Sequence, residues 1–121
     1  MYSAQVLDHF EHPRNAGAIE SPDASVQIEN PACGDILKLT LKLSGGRIEE
    51  IRFLARGCVA SMACGSALTE LASGRTIEQA SALSREDLIR SVGGLPPASV
   101  HASHLALDAL QAALRQLERK V

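Results

Sequence analysis

Two stretches of this sequence bring together side chains that can do chemistry. Pro31-Ala32-Cys33-Gly34-Asp35 offers a sulfur and a carboxylate, both metal-ligand types. Gly34 gives the loop enough backbone freedom for both to face one side. A turn with an incidental, buried cysteine fits the local sequence equally well. Cys58 follows Gly57 where a strand-like run hands over to a helical one. Unpaired backbone N–H groups and the helix dipole favour an anion there, and so the thiolate, the reactive and metal-binding form. The competing reading is a small residue at a tight junction. Cys64 lies six residues on, ~600° around the helix and so ~120° from the face of Cys58, between Ala63 and Gly65, and reads as core packing.

His101 and His104 stand one turn apart near the start of the last helical run. A neutral imidazole can hold a metal, and for His101 a ligand and a plain surface residue both fit. His104 lies near the apolar stripe and reads as a half-buried helix residue. His9 and His12 flank a helix breaker and read as surface or capping residues. Cys33, Asp35, Cys58 and His101 together would supply two sulfurs, one oxygen and one nitrogen. Their gaps of 25 and 43 residues between Cys33, Cys58 and His101 are unlike a zinc knuckle, so spacing by itself leaves the metal site open. The sequence has no Gly-rich phosphate loop and no nucleophile elbow.

The elements that must position these residues follow from periodicity. Ser3 to Glu11 is helical, with Val6, Leu7 and Phe10 expected on one face, and ends at His12-Pro13-Arg14-Asn15-Ala16-Gly17. Val26 and Ile28 alternate with polar residues, as do Leu37, Leu39, Leu41 and Leu43, which is the period of half-buried strands. Ser44-Gly45-Gly46 is a hairpin turn into a third strand over about 47–55. Ile48 is out of phase with Ile51, Phe53 and Ala55, which predicts a bulge or a late strand start. Cys58 to Ser73 is helical and Gly74 suits its C-terminal cap. Thr76 with Gln79, and Ser84 with Glu86 and Asp87, begin two shorter helices. After the loop Gly93-Gly94-Leu95-Pro96-Pro97, the last helix lines up Leu107, Leu110, Leu114 and Leu117. Strands and helices are segregated, so the expected class is α+β: one domain over 1–121, a three-stranded antiparallel sheet packed against helices.

Composition excludes several function classes. The 121 residues carry a net charge of −2, without the basic footprint of a nucleic-acid binder. No apolar run reaches the ~20 residues that span a bilayer. The N-terminus lacks the order of a signal peptide, which makes the cytoplasm the expected compartment. In a reducing cytoplasm three cysteines point to metal, sulfur chemistry or packing and away from disulfides. Aromatics make up only 2% of the chain, so the core must be built from Leu, Ile, Val and Ala.

Taken in order, several pieces resemble the IscU/NifU-type iron–sulfur cluster scaffold family. They are Asp8-His9-Phe10 and Asn15-Ala16-Gly17 inside DHFEHPRNAG, then Pro31-Ala32-Cys33-Gly34-Asp35 and Gly57-Cys58. Thr69-Glu70 before Gly74, Leu95-Pro96-Pro97, and His101 before the last helix complete the set. The resemblance implies an α+β scaffold that is no enzyme. It implies an assembly site for a [2Fe–2S] cluster or iron, also able to take zinc, at Cys33, Asp35, Cys58 and His101. The implied partners are a cysteine desulfurase and the apo-proteins or carriers that accept the cluster, with the scaffold as monomer or homodimer.

Two departures bear on this. The family follows its histidine with a third cysteine, implicated in ligation and sulfur acceptance, where this chain has His101-Ala102-Ser103. Position 102 can neither bind metal nor accept a persulfide, so His101, Asp35, water or Cys64 would have to compensate. The family's Leu-Pro-Pro is followed by Val and Lys and read by an Hsp70-type chaperone, whereas Ala98-Ser99 follows here and removes the cation. Two other readings therefore stand beside the scaffold. One is a zinc-binding sulfur-relay adaptor that engages the desulfurase, the other a degenerate homologue that binds without metal.

Overall fold

In the computed structural model, which describes residues 1–31 and 34–119, the period-two runs form a three-stranded antiparallel sheet in the order β1-β2-β3. The strands are β1 (Ala24–Asn30), β2 (Asp35–Ser44) and β3 (Arg47–Arg56). Pairs such as Ile28↔Leu37, Leu39↔Phe53 and Leu41↔Ile51 set a register that turns Leu37, Leu39, Leu41, Ile51 and Phe53 to one buried face. Gly45 and Gly46 both have positive φ, 59° and 77°, as a two-residue hairpin turn of the primed type requires. The expected bulge is present: Lys42 pairs with Glu50 but Leu43 with Ile48. Glu49 is the extra residue, and the shift returns Ile48 to the core.

Helices cover the buried face. They are α1 (Ala4–Glu11), α2 (Val59–Ala72), α3 (Ile77–Ser81), α4 (Arg85–Ser91) and α5 (His101–Arg119), with a 3₁₀ turn at Pro97–Ser99. Both short helices begin with reciprocal capping boxes, Thr76 with Gln79 and Ser84 with Asp87. The small residues of α2 bring its axis close to the sheet. A Cβ at Gly65 would lie 2.6 Å from Phe53 Cδ2, so only glycine permits this approach. The core is aliphatic, with Leu68, Leu88 and Leu110 fully buried beside the sheet residues.

Two expectations for α1 are corrected. The helix buries Val6 and His9, while Leu7 and Phe10 remain exposed. The reason is a polar network that apolar periodicity does not register. His9 Nδ1 lies 2.8 Å from the Ser66 hydroxyl of α2, and the Arg14 N–H donates to the same hydroxyl at 2.8 Å. Asn15 Nδ2 donates to Thr69 Oγ1 at 3.1 Å. Beyond the network, the Gly17 N–H donates to the Phe53 carbonyl and the Phe53 N–H to the Asn15 carbonyl, so the segment after α1 lies along the outer edge of β3.

Candidate metal centre

Three element starts converge. Asp35 opens β2, Cys58 is the N-cap of α2, and His101 opens α5. One ligand atom from each lies within 4.8 Å of the other two.

Asp35 is buried and its two oxygens have separate duties. Oδ1 accepts the Cys58 N–H at 3.2 Å, taking up one of the N–H groups that the start of α2 leaves unpaired. Oδ2 accepts the Ser61 hydroxyl at 2.6 Å and lies 3.4 Å from Cys58 Sγ and 3.4 Å from His101 Nε2. Gly57 makes this seat possible. Its φ is +142°, and a Cβ there would stand 2.1 Å from Asp35 Oδ1. Cys58 Sγ, half-buried, accepts the Ser61 N–H at 3.4 Å as the helix cap.

His101 is held by its other nitrogen. Nδ1 lies 3.1 Å from the Ala98 carbonyl, which can only accept, so Nδ1 carries a hydrogen. Nε2 is buried without a hydrogen-bond partner among the described residues and faces Asp35 Oδ2. A nitrogen lone pair opposite a carboxylate is repulsive unless a cation or a proton lies between them. The set of sulfur, oxygen and imidazole nitrogen therefore fits a bound cation, with the second nitrogen oriented as metal-ligating histidines usually are. A recess of about 230 Å³ between the end of β1 and α5 reaches His101 from solvent.

Of the four residues expected at the site, the structure brings Asp35, Cys58 and His101 together, and Cys33 lies outside the described residues. Cys64 is fully buried in the core. Burial, and then the nearby Cys58, push its thiol up to about 12, which suits packing and not ligation. His104 stands apart from the cluster, 2.7 Å from Arg85 Nη1. Ala102 is buried in the hydrophobic core. Ser61 was not foreseen, although its place three residues after an N-cap, where capping-box partners sit, was a usable signal.

Comparison with known proteins gives the family and the fold. The family model described as NifU-like N terminal domain matches residues 1–121. The chain is 44% identical over 120 residues to "Iron-sulfur cluster assembly scaffold protein IscU 1" of Archaeoglobus fulgidus, covering 99% of this chain and 78% of that protein. It is 38% identical over 123 residues to the "Iron-sulfur cluster assembly scaffold protein IscU" of Escherichia coli, covering 98% of this chain and 95% of that one. Among solved structures, the N-terminal part of a nitrogen-fixing NifU-like protein from Brucella abortus superposes with a TM-score of 0.79 at 19% identity. That match covers 98% of this chain and 95% of the other, and it supports the α+β fold.

Proposed function

Since the chain belongs to the NifU-like N terminal domain family, we propose that it is an iron–sulfur cluster assembly scaffold. It holds iron, and then a transient [2Fe–2S] cluster, as cargo at Cys33, Asp35, Cys58 and His101. The observation that carries this reading is the convergence of Asp35 Oδ2, Cys58 Sγ and the buried His101 Nε2, which has no hydrogen-bond partner among the described residues and lies 3.4 Å from Asp35 Oδ2. Thiolates suit iron–sulfur clusters, and histidine can replace cysteine on one iron. A carboxylate is a harder ligand and holds an iron–sulfide unit less firmly, which suits cargo that must leave.

The chain works as a single domain and assembles cargo without turning over a substrate. Its compartment is the reducing cytoplasm, its sulfur source is a cysteine desulfurase, and its clients are apo-proteins or carriers. Zinc fits the same donor set and is a competing occupant. With alanine at 102 and its side chain in the core, His101 and Asp35 take the share of ligation that a third thiolate would otherwise have. The loss of the cation after Leu95-Pro96-Pro97 argues against chaperone recognition of the family type.

The test is anaerobic reconstitution with ferrous iron and sulfide, read by visible absorbance, iron and acid-labile sulfide. Equal iron and sulfide are expected, abolished by Cys33→Ser or Cys58→Ser and kept in Cys64→Ser. Absence of a stoichiometric cluster from the unaltered protein would overturn the scaffold reading. Stoichiometric zinc with no response to iron would favour the adaptor.

A further inference from the structure

The residue that touches both Asp35 and Cys58 is Ser61. It is 2% exposed, and its hydroxyl reaches across to β2 and not back to a carbonyl of its own turn. Its hydroxyl donates to Asp35 Oδ2 at 2.6 Å and lies 3.4 Å from Cys58 Sγ, while its backbone N–H donates to the same sulfur at 3.4 Å. Resting on the scaffold reading above, we propose that Ser61 is a positioning residue. Its hydroxyl fixes the rotation of the Asp35 carboxylate so that Oδ2 faces Cys58 Sγ and His101 Nε2.

The physical need for such a residue is specific. The terminal torsion of an aspartate is broad, so burial alone does not fix the plane of the carboxylate or aim one of its oxygens at the other ligands. Here both oxygens are engaged from α2. The Cys58 N–H holds Oδ1 at 3.2 Å and the Ser61 hydroxyl holds Oδ2. The arrangement is a capping box completed from another element. The acid that usually stands three residues after the N-cap is replaced by serine, and the carboxylate comes from the first residue of β2. A carboxylate oxygen has two lone-pair directions, so Oδ2 can accept from Ser61 and turn to a cation the direction in which the Cys58 thiol, 3.4 Å away, donates until a metal takes its hydrogen's place. Partners that hold a ligand in this way typically govern metal affinity by 10–100-fold.

The experiment is an anaerobic titration with cobalt(II), whose sulfur-to-metal charge-transfer band reports the thiolates, Cys58 and Cys33, and whose d–d bands report the coordination as a whole. Wild type, Ser61→Ala, Asp35→Ala and the double variant are compared, with metal-free unfolding midpoints measured alongside. Ser61→Ala is expected to weaken cobalt(II) about 10–100-fold, keep the charge-transfer band, alter the d–d bands and lower the metal-free midpoint only by what one buried hydrogen bond contributes. The double variant should bind no more weakly than Asp35→Ala alone, because Ser61 acts through that carboxylate. Unchanged affinity and spectrum in Ser61→Ala would overturn the inference, as would an additive loss in the double variant. A wild-type protein that shows no thiolate band with cobalt(II) would instead overturn the metal-site reading, and this inference with it.

Discussion

A single methyl group at position 57 decides whether Asp35 can stay where it is. The left-handed φ of Gly57 disfavours any side chain, and an added Cβ would overlap Asp35 Oδ1. Gly57→Ala should therefore destabilise the fold by about 1–3 kcal/mol in urea unfolding and weaken metal binding together. A variant with wild-type stability and affinity would show that the carboxylate has another seat. Cys64 calls for the opposite separation of effects. Its fully buried side chain packs among Leu and Ala, so Cys64→Ser should cost about 1–3 kcal/mol while leaving reconstituted iron and sulfide unchanged. Loss of cluster without loss of stability would instead make Cys64 a ligand. Residues of this kind were unequally legible. Thiol, carboxylate and imidazole announce themselves as ligand types, so Asp35, Cys58 and His101 could be picked from the sequence. Ser61 carries only a faint signal, its place three residues after an N-cap, because serine in a helix is common and only the three-dimensional meeting with β2 gives its hydroxyl a partner.

At the scale of elements, strands were the most readable part, since a period of two fixes which side chains share a face. The phase slip at Ile48 even located the bulge. The inner face of α1 departs from apolar periodicity because a buried hydrogen bond outweighs apolar content. His9 is buried with its ring against Ser66, and Phe10 turns outward. This docking predicts an acid sensitivity. Burial lowers the His9 pKa first and the Arg14 cation adds to it, while the carboxylates of Glu70 and Asp8 only partly oppose them. The unfolded chain takes up this proton near the ordinary 6.5, the folded chain only at lower pH. Between those two values the unfolded state binds more protons, so stability is fully present above 6.5 and falls as pH drops through the window. Urea midpoints measured from about pH 7.5 down to about pH 5.5 should therefore decline, and more steeply in wild type than in His9→Gln. Equal slopes would mean that α1 docks without regard to this imidazole.

For the whole molecule, the order of elements gave the class correctly, because hairpin-linked strands followed by helices leave few ways to cover one sheet face. The convergence of the site was not readable. Asp35, Cys58 and His101 are far apart in sequence, and only the packing of α2 and α5 on the sheet brings their first residues together. That convergence has a thermodynamic consequence. A cation bound to all three ties β2, α2 and α5 in the folded chain, and no comparable site exists once they separate. Binding to the native state alone stabilises by RT ln(1 + [M]/Kd), about 2.7 kcal/mol at a hundredfold excess over Kd. For a chain of this size that is a rise in Tm on the order of 10 °C. Zinc added to metal-free protein should produce this rise and a chelator should reverse it. Asp35→Ala and Cys58→Ser should each remove most of it, and Cys64→Ser none. A midpoint that ignores both zinc and chelator would place the chain with homologues that keep the fold and bind without metal, because three ligands from three elements cannot hold a cation and leave their common stability unchanged.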